Sequence, residues 1–167
     1  MNQQNNVTIR SAEPDDYTAL QAIYAGPGAY HGTLQMPFPT KEMWKQRLQN
    51  PAIERHNLVA CIDDTPIGNI GLSPETRFAR RRHAGNIGMG VHDDHVGKGV
   101  GELLMRAVID LADNWINLTR LELTVWEDNE RAIALYLRTG FEVEGTLRKF
   151  AYRNGEYVNA LSMARLR

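Results

Sequence analysis

The chain has 167 residues, of which 43% are hydrophobic and 23% charged, and its formal net charge is −1. This balance fits a soluble globular chain with one sizeable core, and it excludes a disordered one, which needs low hydrophobicity and high net charge. It also supplies no bulk field for nucleic acid or an anionic membrane surface, so neither is expected as a partner.

Residues 1–6 are polar and are expected to fray, with residues 7–167 forming a single domain. Val7-Thr8-Ile9-Arg10 alternates and predicts a first strand. Glu13-Pro14-Asp15-Asp16 opens a helix whose apolar face carries Tyr17, Leu20, Ile23 and Tyr24. Gly26-Pro27-Gly28 predicts its stop, and Tyr30 to Pro39 an irregular segment. Thr40 caps a second helix that runs through Leu48. Leu58–Ile62 and Ile67–Leu72 read as a hairpin turned by Asp63-Asp64-Thr65-Pro66. Arg77–His83 is a basic connector to a strand over Gly85–Val91. The next helix shows the stripe Leu103, Leu104, Ala107, Val108, Leu111, Ala112 and Trp115. Leu121–Trp126 predicts a strand, Asn129–Thr139 a helix stopped by Gly140, and Phe141–Val143 and Tyr157–Met163 two closing strands turned at Asn154-Gly155. The order β-α-α-β-β-β-α-β-α-β-β is that of one mixed α/β domain.

The N-terminal MNQQNNVTIR lacks the apolar core of a secretory signal, and no segment reaches the ~20 apolar residues that cross a bilayer. The lone Cys61 excludes an intramolecular disulfide and a thiolate metal cluster. A cytoplasmic location is therefore expected. None of the five histidines has HxxxH or HExxH spacing, and His92 and His95 read as loop residues, so no metal is expected.

Chemistry concentrates in the turn Val96-Gly97-Lys98-Gly99-Val100-Gly101, between a strand and a helix. Its glycines let the backbone approach a ligand closely. The first amides of the following helix have no intrahelical partner and sit at the positive end of the helix dipole, which makes an anion site suited to a pyrophosphate. The GxGxG spacing after four strands is not the dinucleotide fingerprint, and Lys98 is followed by Gly99, not by the Ser or Thr of a P-loop. Downstream, Asn129, Ala132, Tyr136 and Gly140 are spaced so as to share one helical face.

These two motifs together resemble the Gcn5-related N-acetyltransferases. That family's loop, Q/R-x-x-G-x-G/A, aligns with Val96–Gly101, and its N-x-x-A-x-x-x-Y-x-x-x-G-F pattern with Asn129–Phe141 without a gap. The segments Thr33–Pro37, the arginine-rich connector before His83, Asp113–Trp115 and Arg153–Val158 are similar to bacterial L-amino acid N-acetyltransferases, and the tail from Gly140 to Met163 also to spermidine acetyltransferases. The resemblance implies an α/β (α+β) fold with a mostly antiparallel mixed central sheet of about seven strands and helices on both faces.

It also implies acetyl-coenzyme A as co-substrate and a small-molecule amine as acceptor, probed first as a free L-amino acid, with a polyamine or an amine antibiotic as alternatives. The implied cofactor residues are Met89, Gly90, Val91, Val96, Gly97, Lys98, Gly99, Val100, Gly101, Glu102, Asn129, Ala132 and Tyr136. Among them Met89–Val91 would offer backbone donors to the thioester carbonyl, with Gly88 and Gly90 keeping that face open, and Tyr136 would donate to the departing sulfur. A phenol at ~10 lies above a thiol at ~8.5, so stabilising the thiolate matters more than full proton transfer. Tyr30, His31, Thr33 and Gln35 are acceptor candidates.

Two positions depart from the family pattern. Val96 replaces a usual Gln or Arg, and Asn86 stands where a glutamate often relays a proton. Glu122 and Glu127 are the substitute relays. An α-amine at ~7.7–8.0 needs less base than a polyamine nitrogen near ~10.4, which favours amino acids. So does the short supply of acids before residue 83, namely Glu42, Glu54, Asp63, Asp64 and Glu75. Cys61 lies in an apolar alternation and reads as packing, which leaves direct attack in a ternary complex. An acyl-CoA-binding sensor is the non-enzyme alternative. Tyr152, Tyr157, Val158 and Leu161 would supply either core or a homodimer surface.

Overall fold

The computed structural model describes residues 6–50 and 55–167. The fraying expected for residues 1–6 falls, for residues 1–5, outside the described residues, as does Glu54. Strand β1 (Thr8–Ser11) leads through a 3-10 turn at Pro14–Asp16 into helix α1 (Tyr17–Ala25). Glu13 and Asp16 form a capping box there, and Pro14 takes a position where a missing N–H costs nothing.

The irregular segment expected over Tyr30 to Pro39 holds from Thr33 on, but Tyr30–Gly32 are helical, which is a correction. Pro27–Gly32 is a short helix, α2, and Gly26 caps it. Pro27 does not end α1 so much as start α2, because its fixed φ suits a first helical turn. Helix α3 (Lys41–Gln49) starts as expected at Thr40, whose side chain accepts the Met43 amide at 3.2 Å.

Strands β2 (His56–Ile62) and β3 (Thr65–Pro74) form the expected hairpin, with Asp63 and Asp64 both in left-handed backbone, as a tight two-residue turn requires. Strand β4 (Ala84–Val91) precedes helix α4 (Val100–Asp110), which continues as a π-helical turn over Leu111–Ile116. That turn corrects the apolar stripe. Wider π spacing rotates Trp115 off the buried face, and it is 78% exposed. Strand β5 (Arg120–Trp126) and helix α5 (Glu130–Arg138) follow, and Gly140 ends the helix at φ 92°. The closing strands β6 (Glu142–Arg153) and β7 (Glu156–Leu166) are longer than the alternation indicated. Two register shifts in β6 and a left-handed Lys149 break its period of two, so its pattern hides its length.

The seven strands make one sheet in the order β1-β2-β3-β4-β5-β7-β6. All neighbours are antiparallel except β4 and β5. One face packs on α1 and α3 through Leu20, Ile23, Tyr24, Trp44, Val59 and the buried Cys61. The other packs on α4 and α5 through Leu104, Met105, Val108, Leu121, Tyr136 and Phe141. Tyr152 and Tyr157 are exposed and meet edge to face at 5.2 Å, whereas Leu161 packs against the core and Val158 is half-buried.

Two ion pairs fasten the periphery. Arg165 grips Asp113 through two hydrogen bonds of 2.9 and 2.7 Å, tying β7 to the π turn. Arg10 does the same to the buried Asp16 at 2.7 and 3.0 Å, and the Glu13 amide adds a third bond at 2.7 Å. Burial alone would push the Asp16 carboxyl up, but the Arg10 and Glu13 hydrogen bonds outweigh it and hold the group below its ordinary range. A depressed folded pKa stabilises the fold above the unfolded value of ~3.9 and loses that contribution as pH falls through the folded value. Asp16→Asn is therefore expected to cost about 2 kcal/mol at pH 7. In urea unfolding the difference from wild type should shrink below about pH 4.

Candidate active site

Strands β4 and β5 run parallel but pair only at Ala84, Gly85 and Asn86, opposite Arg120, Leu121 and Glu122. Beyond Asn86, β4 stays bonded to β3 as far as Val91, and β5 to β7 as far as Trp126. The two strands part, so the facing backbone groups of Ile87–Val91 and Leu123–Trp126 have no ladder between them. Such groups need water or a ligand as partners. A cleft of about 1800 Å³ opens there, well above the ~300–1,000 Å³ of a drug-sized pocket. Met89, Gly90 and Val91 line it.

At the end of β4 the chain turns through Gly97 and Gly99 at φ 80° and 85°, left-handed values that glycine adopts without strain. The α-helical bonding of α4 starts with the Leu103 amide on the Gly99 carbonyl, so the amides of Val100, Gly101 and Glu102 carry no such bond. Val96, Gly97, Lys98, Gly99, Gly101 and Glu102 line the cleft. Val100 does not, being 2% exposed and packed into the core. The Glu102 carboxylate is neutralised by Arg106, which binds it at 2.6 Å. Lys98, Arg131 and Arg138 add positive charge to the lining. The two arginines escaped the sequence reading, although their spacing with Leu135 on one face of α5 could have indicated them.

At the end of β5, Asn129 caps α5 by accepting the Ala132 amide at 3.2 Å. Asn129, Ala132 and Tyr136 all line the cleft. Tyr136 is 9% exposed, and its hydroxyl makes no hydrogen bond among the described residues. Burial pushes the phenol up to about 12, so it keeps its proton at neutral pH.

The opposite wall comes from α1, α2, α3 and β2. Thr33 and Gln35 line it, while Tyr30 and His31 do not. The α2 helix turns those two away. Their rings meet each other edge-on at 4.6 Å, and the His31 carbonyl accepts a bond from Arg153. Several lining residues were not legible as site residues, among them Tyr24, Trp44, Arg47, Arg55, Asn69 and Trp126. The Tyr24 hydroxyl donates to Asn69 at 3.0 Å, across 45 positions of sequence. Gly90 admits the Tyr24 ring, since a methyl there would stand 2.6 Å from it. This corrects one expectation, because Gly90 makes room for packing and only Gly88 leaves its side of the strand open.

The sequence model of the acetyltransferase (GNAT) family matches residues 18–141. The chain belongs to the GNAT acetyltransferase family. It is 44% identical to the L-amino acid N-acetyltransferase AaaT of Escherichia coli K12, over 98% of this chain and 99% of that protein. It is 33% identical to the spermidine N(1)-acetyltransferase of the same strain, over 95% of this chain and 85% of the relative. The fold matches the structure of yncA from Salmonella typhimurium, described with its cofactor acetyl-CoA, at a TM-score of 0.82 and 21% identity over 97% and 94% of the two chains. This GNAT enzyme is thus an N-acetyltransferase that takes acetyl-CoA as co-substrate, and the cleft suits it in size, in unpaired backbone groups and in its cationic glycine turn.

The carboxylates expected to relay a proton do not reach the cleft. Asn86 lines the cleft, and its amide cannot accept a proton at neutral pH. Glu122 and Glu127 do not line it. Glu122 is held by Arg81 at 2.6 Å and Arg120 at 2.5 Å, and these bonds outweigh burial and keep its carboxyl low. Glu127 accepts from Asn159 at 3.0 Å. His95 lines the cleft, and burial, with the Lys98 charge, lowers its pKa. Burial raises the Cys61 thiol, in keeping with a packing role. Among the described residues no group of three or more His, Cys, Asp or Glu side chains is placed to hold a metal ion.

Gly99→Ala in this GNAT enzyme is expected to cost about 1 kcal/mol of stability through left-handed strain. The same change should raise the KM for acetyl-CoA about fivefold or more, because the turn must shift to relieve the strain. Urea unfolding and initial rates measure the two effects, and an unchanged KM would detach the turn from the cofactor.

Proposed function

We propose that this acetyltransferase acetylates the α-amine of free L-amino acids by direct attack in a ternary complex. The observation that carries the reading is the 44% identity to an L-amino acid N-acetyltransferase across nearly the whole of both chains.

When bound, acetyl-CoA supplies an activated acetyl thioester with a thiolate leaving group. In the proposed arrangement the amides of Gly97–Glu102 and the Lys98 ammonium hold the pyrophosphate. The backbone of Met89, Gly90 and Val91 donates to the carbonyl oxygen, where negative charge develops as the amine nitrogen bonds to the carbonyl carbon. The C–S bond then breaks, Tyr136 donates to the sulfur, and the ammonium proton passes to solvent. Asn129 and Ala132 border the pantetheine arm. Thr33 and Gln35 face the acceptor, while Tyr30 and His31 lie outside the cleft lining.

The proposal extends to a single domain over residues 7–167, to the cytoplasm, where a free thiol such as Cys61 persists, and to a homodimer through the exposed Tyr152 and Tyr157. Light scattering at twice the mass of 18.9 kDa would bear out the dimer, and the single mass would exclude it.

A panel of L-amino acids, spermidine, aminoglycosides and peptides, followed by CoA release, tests the substrate. Turnover of spermidine alone would replace the amino acid reading. Tyr136→Phe is expected to lower kcat about 100-fold with little change in the KM for acetyl-CoA. With its phenol at about 12, Tyr136 should impose no alkaline loss of rate below about pH 10, and kcat/KM should rise with pH as the α-amine of the acceptor loses its proton.

A further inference from the structure

We propose that Arg47 and Arg55 form a carboxylate-recognition site at the acceptor end of the cleft and so select amino acids against polyamines. This rests on the amino acid reading above and goes beyond it by assigning the residues that read the acid group.

Both arginines line the cleft beside Trp44, Asn50 and Asn57. Tyr24, stacked on Trp44 at 4.6 Å, lines the same part of the cleft. Burial drives that phenol up to about 12 against the opposing charges of Arg55 and Arg47. Arg47 lies 4.9 Å from the Trp44 ring centroid and donates one Nη1 bond to Gln35 at 2.8 Å. Its charge is oriented by these neutral neighbours, and it has no carboxylate partner among the described residues.

Arg55 makes no hydrogen bond or ion pair among the described residues, yet its position is specific. Its guanidinium lies over β3 at Gly71, where a methyl would stand 2.7 Å from Nε and 2.9 Å from Cζ. Glycine at 71 therefore makes the seat for the Arg55 head group. Two cations at one end of a cleft repel each other unless an anion joins them.

The lining carboxylates belong to other elements. Glu102 is paired with Arg106, Asp128 with Arg153, and Glu130 lies in the first turn of α5. A polyamine would bring further positive charge to Arg47 and Arg55. A free amino acid brings the missing negative charge, and a planar guanidinium can hold its carboxylate through two parallel bonds.

The test compares the full-length enzyme with Arg55→Gln, Arg47→Gln, Arg55→Lys and Gly71→Ala. The substrates are the best L-amino acid and its α-amide, which keeps the amine and removes the negative charge. The ratio of acid to amide kcat/KM is compared between variants, so the different basicity of the two amines cancels.

The wild type is expected to favour the acid. Each Arg→Gln change should raise the KM for the acid at least about 10-fold, while the amide rate and the KM for acetyl-CoA stay within about twofold. Arg55→Lys should recover part of the loss. Gly71→Ala should reproduce part of it, because the new methyl displaces only the far end of a flexible side chain. An acid-to-amide ratio equal in wild type and variants would overturn the carboxylate site while leaving the amino acid reading intact. A wild type that acetylates spermidine and no amino acid would overturn both.

Discussion

The parting of β4 from β5 is the constraint on which the rest of the site depends. Three paired positions, ending at Asn86 and Glu122, hold the strands together, and each strand is then held only by its outer neighbour. Backbone groups on the inner edges are left without a ladder, which a folded chain sustains only where water or a ligand can meet them. Because the two strands are parallel, the helices that follow them start on the same side of the sheet. The N-terminal ends of α4 at Gly99 and of α5 at Asn129 thus flank one cleft. A single topological feature places main-chain donors, two helix starts and Tyr136 around the same space.

Charge in this cleft is set by pairing more than by composition. The chain as a whole is nearly neutral, at −1. Most of its acids near the site are spent on arginines, Glu102 on Arg106, Asp128 on Arg153, and Glu122 on Arg81 and Arg120, whereas Glu130 lines the cleft without an arginine among the described residues. Lys98, Arg131 and Arg138 remain at one end and Arg47 and Arg55 at the other. Such a distribution suits a phosphate-rich cofactor and an acceptor that carries its own negative charge.

Much of this was legible in the sequence because it is local. Gly97 and Gly99 must be glycine for their left-handed backbone, Thr40 and Asn129 cap helices through bonds to the amides three residues on, and Asn154-Gly155 turns a hairpin. Spacing put Asn129, Ala132 and Tyr136 on one face, and the fold keeps them on one cleft wall. Misreadings arose where a local signal has two outcomes. Pro27 can end one helix or begin the next. An apolar stripe that leads to Trp115 assumes α spacing, and the π turn ended that assumption. Strand β6 is bulged at an edge, so its sequence carries no clean alternation.

By itself the sequence determined most of the elements, the glycine turn, the capped tyrosine helix and, through their pairing, the acetyltransferase family. Those features rest on interactions within a few residues along the chain, where spacing and backbone preference decide the outcome. Only the tertiary structure decided what faces the acceptor. It brought Tyr24 to Asn69 and Gly90, removed Tyr30 and His31 from the cleft, engaged Glu122 with two arginines, and seated Arg55 over Gly71. Each of those outcomes depends on side chains from different elements meeting across the sheet, and no periodicity along one segment records which partner lies opposite.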